Sequence, residues 1–211
     1  ALHGPVAKKH FINAGYSLQN IIEVEALPYL HLDENKHDEY HEKVHKAADK
    51  VNVLIVGEFQ LESTLEMLHA IGMAISQNDA ISSFVFKPHP ACPIDESMIT
   101  MLDVSFTSES LDLIVPNFDI AIVAGSTSAA VNLYYSGIDV VVYLGTKELN
   151  LSPLREKVGS VFVRTASDFK NILSRVDNRK YNVYDNEVFF WTNKNLPRWN
   201  SLLNIMGYDD D

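Results

Sequence analysis

The clearest pattern in the chain begins at Val51, where Val51-Asn52-Val53-Leu54-Ile55-Val56 is almost wholly apolar and β-branched and stops at Gly57. A run of that length and texture predicts a strand buried on both faces. Leu61, Leu65, Leu68 and Ile75 then recur at helical spacing, so a helix should follow and cover the sheet. The alternation repeats. Ser83 to Phe86 is β-prone and ends at Pro88, which lacks a donor for a ladder. Asp95 to Leu102 reads as a helix, Val104 to Phe106 as a short strand and Leu111 to Pro116 as a brief helix. Asp119 to Ala124 is an apolar strand, Ser128 to Ser136 a helix and Val140 to Tyr143 another strand; Val161 to Val163 and a helix from Ser167 to Val176 close the series. Strands alternating with helices predict an α/β fold: a Rossmann-like open parallel sheet with helices on both faces and right-handed crossovers. A mostly antiparallel α+β domain is the alternative.

The flanks have a different texture. From Val6 to Leu32, Gly15 and Pro28 interrupt short apolar runs such as Ile21-Ile22, and Leu32 to Asn52 is strongly charged, with a helix expected from about Asp38 to Ala48. From Lys180 onward aromatic residues crowd the chain (Tyr181, Tyr184, Phe189, Phe190, Trp191, Trp199) around an expected terminal helix, Pro197 to Met206. The domain reading is an opening segment and charged linker over 1–50, a Rossmann-like domain over 51–180, and an aromatic segment and helix over 181–211 that packs on it.

Composition narrows the classes. A chain of 211 residues that is 46% hydrophobic is long enough to bury a core without covalent staples. A formal charge of -11 argues against broad capture of nucleic acid, though not against a local positive pocket. The single cysteine, Cys92, excludes an intramolecular disulfide framework. No apolar stretch reaches the roughly 18 residues of a membrane span, and no secretory signal opens the chain. The start at Ala1, running at once into a structured pattern, suggests a piece of a longer protein.

Two segments carry most of the candidate chemistry. In the first, the strand ending at Ala124 runs into Gly125-Ser126-Thr127-Ser128, and Ala129-Ala130 begin a helix. Gly125 permits close backbone approach or an unusual dihedral. Ser126 or Thr127 can cap the helix, and three consecutive hydroxyls can add donors around a phosphate. An ordinary helix start is the bland alternative, but a cap needs one such residue and here there are three, at an edge where open parallel sheets bind ligands. No Gly-Lys-Ser or Gly-Lys-Thr follows, so this is not a P-loop.

The second segment, Phe86-Lys87-Pro88-His89-Pro90, ends a strand at the same edge. Two prolines lock the loop and aim His89, which can donate to a phosphate oxygen or a leaving group, while Lys87 adds charge. A rigid turn whose histidine caps nearby carbonyls is the alternative. Weaker candidates complete the edge. Gly57 can allow ligand approach and Glu58 can contact a hydroxyl; Ser108 and Glu109, in Thr107-Ser108-Glu109-Ser110, can grip a ribose or simply cap Leu111; Tyr143 and Gly145 can line the crevice. His37, His41 and His45 share a helix face and superficially suggest a zinc motif, but the glutamate stands one position too late and the surroundings are charged. Cys92 lies near His89 without an oriented partner and is not read as a nucleophile. No carboxylate cluster marks a metal, so none is assigned.

Lys87-Pro88-His89-Pro90, Gly125-Ser126-Thr127-Ser128-Ala129-Ala130 and Gly137-Ile138-Asp139-Val140 together resemble the carboxy-terminal, donor-binding half of GT-B glycosyltransferases, above all bacterial surface-carbohydrate biosynthesis and sialyltransferase-like proteins. Glu23-Val24-Glu25-Ala26-Leu27-Pro28-Tyr29-Leu30 resembles a segment near the domain junction of such proteins. The resemblance, over roughly residues 20 to 200, implies that His89 contacts the donor phosphate and supports its departure, and that Ser126, Thr127 and Ser128 hold phosphate oxygens. It implies that residues 51–180 bind a nucleotide-sugar as donor substrate, a CMP-linked sugar being one candidate, with no cofactor, and a glycan acceptor. It further implies a bacterial protein, cytoplasmic or peripheral at the inner membrane, whose amino-terminal domain, absent from these 211 residues, supplies the catalytic base. A nucleotide-sugar epimerase half, or a nucleotide-binding module without turnover, are the alternatives.

Overall fold

The computed structural model describes residues 1–31, 51–75, 81–146, 149–155, 157, 160–173 and 189–205. The helix expected near 38–48, with His37, His41 and His45, lies outside the described residues, as do 174–176 of the expected fifth helix and Met206. The chain divides into two compact units, one of Ala1–Asn35 with Asn186–Asp211 and one of Lys36–Asp185.

The larger unit is a parallel six-stranded sheet in the order β3-β2-β1-β4-β5-β6. Its strands are β1 (Val51–Val56), β2 (Ile81–Lys87), β3 (Ser105–Phe106), β4 (Ile120–Ala124), β5 (Asp139–Tyr143) and β6 (Val161–Val163). Leu54 stands opposite both Val85 and Ala121, and Ile122 opposite Val141. Alternate residues face one layer: Val53, Ile55, Phe86, Ile122, Val141 and Val163 form one core with Met67 and Ile71 of α2 (Leu61–Ile75) and Phe169 and Leu173 of α5 (Ala166–Leu173). The intervening set, Leu54, Val56, Ala121, Val123, Val140 and Val142, is also buried. On that side α4 (Ala129–Tyr135) packs against β4 and β5 and buries Ala130, Val131, Leu133 and Tyr134. Period-2 burial on both faces explains why these strands read as unbroken apolar runs. The α/β Rossmann-like class is as the alternation predicts.

The strands progress outward in two directions, β1 to β2 to β3 and β4 to β5 to β6. The reversal falls between β1 and β4, and the carboxyl edge at such a switch point is where open parallel sheets bind ligands. At the opposite edge, Asp119 accepts the Asn52 backbone N–H at 2.8 Å, and Ser83 donates its hydroxyl to the Asn52 side chain at 2.8 Å.

Residues Asp95 to Leu102 depart from the predicted helix. The Asp95 carboxylate accepts the Ser97 N–H at 2.9 Å and closes a single 3-10 turn, Glu96–Met98. Beyond it the chain runs against α2, where a Cβ on Gly72 would lie 2.8 Å from the Met101 carbonyl oxygen. Burial of Ile94 and Leu102 against that helix outweighs local helical preference. The brief helix expected at 111–116 is α3 (Leu111–Ile114) followed by a 3-10 turn, Val115–Asn117.

The smaller unit is built from both flanks of the sequence. It holds a helix that the apolar pattern did not announce, α1 (Pro5–Asn13), which buries none of its residues, and α6 (Pro197–Ile205). Leu2 pairs with Ile22 and Val24 through backbone bonds of 2.7 and 2.9 Å, and Ala26 N–H donates to the Trp191 carbonyl at 2.8 Å. Glu25, wholly buried, receives the first turn of α6: its carboxylate accepts the backbone N–H of Arg198 and of Trp199, each at 3.1 Å, and the Arg198 guanidinium at 3.3 Å. Burial pushes the Glu25 carboxyl up, but the Arg198 and Trp199 amides and the guanidinium together hold it below the usual glutamate range. The guanidinium also lies 4.1 Å over the Trp191 ring, whose N–H reaches Glu23 at 3.1 Å. Lys8 pairs with the same Glu23.

Candidate functional site at the carboxyl edge of the sheet

The loops that leave β1, β2 and β4 are joined to one another at the switch point. Gly57 donates its N–H to the Lys87 carbonyl at 3.0 Å, tying the first loop to the second. Glu58 is 3% exposed. Its N–H donates to Thr64 Oγ1 on α2 at 3.0 Å, and the Ser126 hydroxyl donates to its Oε2. The fit around position 57 is tight, since a Cβ there would stand 3.1 Å from Thr64 Cγ2 and 3.3 Å from the Phe86 ring. The pairing of Glu58 with Ser126, 68 residues apart, follows from the adjacency of β1 and β4.

Within the serine-rich turn the three hydroxyls have different duties. Ser126 is turned to Glu58. Thr127 Oγ1 accepts the Ala129 N–H at 3.3 Å, and so it, not Ser126, satisfies an amide at the start of α4. Ser128 occupies the cap position without a side-chain cap bond and is exposed. Gly125 is buried; among described glycines positive φ is confined to Gly15 and Gly137, so the unusual dihedral entertained for Gly125 is not what the position uses.

His89 and Lys87 are half-buried. His89 Nδ1 accepts the Ala91 N–H at 3.1 Å, and the Cys92 N–H donates to the His89 carbonyl at 2.9 Å. A neutral ring that accepts at Nδ1 carries its proton at Nε2, which leaves a donor on the far side of the imidazole. The remaining candidates scatter. Ser108 and Glu109 follow β3, two strands from β1, where they are exposed and Glu109 N–H donates to Thr107 Oγ1 at 3.3 Å. Tyr143 corrects the expectation that it lines the crevice: its ring is 2% exposed and stacks on Phe169 at 5.8 Å in the core. It sits on the α2–α5 side of the sheet because its register position shares the inward phase of Val141.

Two residues at this edge went unread in the sequence. Thr64 of α2 accepts the Glu58 backbone N–H, and its only signal was a polar residue seven positions after a strand-ending glycine. Arg164 follows β6 and donates to the Gly145 carbonyl at 2.9 Å, fixing the loop after β5. Cavities of about 370 and 480 Å³ lie elsewhere, along α2 and the 98–105 segment, lined by residues such as Leu65, Leu68 and Met98 or Ile75, Phe84 and Met101. Among the described residues no group of three or more His, Cys, Asp or Glu is placed to hold a metal ion, and no helix is long and apolar enough to cross a membrane.

No family model and no curated protein matches the sequence. Solved structures do. MurG of Acinetobacter baumannii superposes with a TM-score of 0.54 at 11% identity, over 81% of this chain and 53% of that one. The fold is that of one GT-B half. Anabaena Alr3699/HepE, solved in complex with UDP and glucose, is similar at a TM-score of 0.45 and 10% identity, over 82% of this chain and 51% of its own. KpsC of Thermosulfurimonas dismutans, a beta Kdo 2,7 transferase, gives 0.33 and 15%, over 55% of this chain and 44% of its own. The chain thus spans about half the length of MurG.

Proposed function

We propose that this chain is the donor-binding half of a nucleotide-sugar-dependent glycosyltransferase acting in bacterial surface-polysaccharide biosynthesis. The observation that carries the reading is the joined loop cluster at the β1/β4 switch point: Glu58 bonded to Ser126, and Gly57 bonded to the backbone of Lys87, which leads into His89. Open parallel sheets bind ligands at that place, and a phosphate there would meet the hydroxyls of Thr127 and Ser128, the Lys87 ammonium and the His89 Nε2–H. The half-length match to a GT-B-type structure supports an additional domain in the complete enzyme, which would supply the acceptor site and the base.

In this mechanism the bond between the anomeric carbon and the donor phosphate breaks, and charge builds on the departing phosphate oxygen. Oriented hydroxyls and the His89 N–H stabilise that charge more than they stabilise the intact donor. The cluster's few cations fit a donor with one phosphate, such as a CMP-linked sugar, better than a diphosphate.

Calorimetric titration of CMP, UDP, GDP and their sugars tests the reading. His89→Ala should weaken binding about 10- to 100-fold, the range of a hydrogen bond to a charged group, and Ser128→Ala about 3- to 10-fold. Both variants should melt like the parent. Unchanged affinity in both, or a parent that binds no nucleotide, would remove the site from consideration.

A further inference from the structure

In a parallel sheet the connection between neighbouring strands ordinarily carries a helix that covers the sheet. Between β2 and β3 the chain makes only the 3-10 turn Glu96–Met98 and otherwise runs irregularly to Ser105. A right-handed crossover from β2 to β3 lies on the same side of the sheet as α2, which makes the crossover from β1 to β2. Irregular chain fills that side less completely than a helix does. What is left is a furrow along α2, formed by cavities of about 370 and 480 Å³ that share Met101 and Leu102. Leu65, Leu68, Ile99 and Phe84 give it apolar walls, and Met98 and Met101, which also line it, are 49% and 48% exposed. The carboxylates around them are exposed: Glu66 and Asp103 line the furrow, and Asp95 and Glu96 precede Met98 at its turn. No lysine or arginine is among the residues lining either cavity. Lys87 is the single lysine or arginine from Val51 to Thr146.

We propose that this furrow is the docking site for an amphipathic helix of a partner protein, apolar on one face and bearing lysine or arginine on the other. The apolar face covers Met98 and Met101, on the side of the sheet where a β2–β3 helix would have packed, and the cations meet Glu66 and Asp103. Exposed thioether side chains adapt to the shape of an incoming helix, which is how apolar grooves accept such segments. The acidic surround sets the sign of the partner. It also repels anionic lipid headgroups and nucleic acid, so the furrow fits neither. Its lining shares no residue with the candidate site at the carboxyl edge, and the proposal stands apart from nucleotide binding.

The probe is a fluorescent synthetic peptide of about 18 residues, leucine and lysine only, with the leucines at i, i+3, i+4 and i+7 so that they form one helical stripe. Two controls accompany it: the same composition in an order that breaks the stripe, and a leucine–glutamate peptide with the stripe intact. Anisotropy titrations with the full 211-residue chain should show saturable binding of the basic amphipathic peptide and at least about 10-fold weaker binding of both controls. Met98→Gln should weaken binding about 3- to 10-fold. Met73→Gln, on α2 and 53% exposed but outside both cavities, should leave it unchanged. The double variant Glu66→Gln/Asp103→Asn should lose about 3- to 10-fold at about 50 mM salt, and less at about 500 mM. These side chains are solvent-exposed, so each variant should melt like the parent. No binding by the parent overturns the proposal. So does equal binding of the broken-stripe peptide, which would be capture by net charge alone, or an equal loss in Met73→Gln and Met98→Gln, which would place the peptide elsewhere on α2.

Discussion

At the scale of single residues, Glu25 and Glu58 show two different fates of a buried carboxylate. Glu25 is satisfied from every side by Arg198 and Trp199, and its charge is held by two amides and a guanidinium. Its folded value lies below the ordinary 4.5, so the stability it contributes is complete above about that pH and is lost as pH falls through the lower folded value. Both tryptophans of the chain, Trp191 and Trp199, lie in the smaller unit, so tryptophan emission reports that unit alone. Glu25→Ala should lower its unfolding free energy by about 2–4 kcal/mol, because two helix-start amides and a guanidinium lose their acceptor. It should also flatten the acid limb of the emission-detected stability curve below pH 4.5. Gly72 gives a second residue-scale expectation. Alanine in mid-helix is ordinarily favourable by about 1 kcal/mol, yet its Cβ would stand 2.8 Å from the Met101 backbone oxygen. Gly72→Ala should therefore lower the melting temperature of the larger unit, read by far-UV circular dichroism.

Elements follow from sequence where a single periodicity decides them, and fail where tertiary contact does. The runs at Val51–Val56 and Ile120–Ala124 were legible because central strands of a parallel sheet need apolar side chains on both faces. Residues 95–102 were not, because the Asp95 turn and the backbone lying on Gly72 are set by α2, not by local preference. The candidate site was half legible: Lys87, His89 and the serine-rich turn sit at strand ends that the alternation predicts, but nothing local pairs position 58 with position 126. That pairing required the strand order. Tyr143 was misplaced for a related reason, since a strand-end residue faces crevice or core according to its phase. The start of α5 is a case where local chemistry suffices. Thr165 Oγ1 accepts the Asp168 N–H at 3.2 Å, and Asp168 returns bonds from the Arg164 and Thr165 amides at 3.0 and 2.9 Å. The Arg164 amide, then Thr165, hold the Asp168 carboxyl below its usual 3.8. Asp168→Ala should cost about 1 kcal/mol in urea unfolding followed by circular dichroism at pH 7, and the difference from the parent should shrink as pH falls below 3.8.

On the scale of the whole molecule, the charge of -11 sets the approach of any anionic ligand. The long-range field repels a nucleotide even where Lys87 attracts it at contact. Raising salt from 20 to 150 mM should therefore increase the association rate constant of a nucleotide in stopped-flow measurements, opposite to the behaviour of a protein that captures polyanions with a basic face. A falling rate would show that the local cation outweighs the net field.

The two units also differ in how the chain is threaded through them. The sheet unit is continuous in sequence, Lys36–Asp185, whereas the smaller one is closed only when α6 meets Glu25, a partner 173 residues earlier in its bond to Arg198. During synthesis, then, the sheet unit is made before α6, and the segment around Glu25 must wait, its carboxylate uncapped, through the making of everything between. The buried ionic clasp can close only after the whole sheet unit between its two halves has been made.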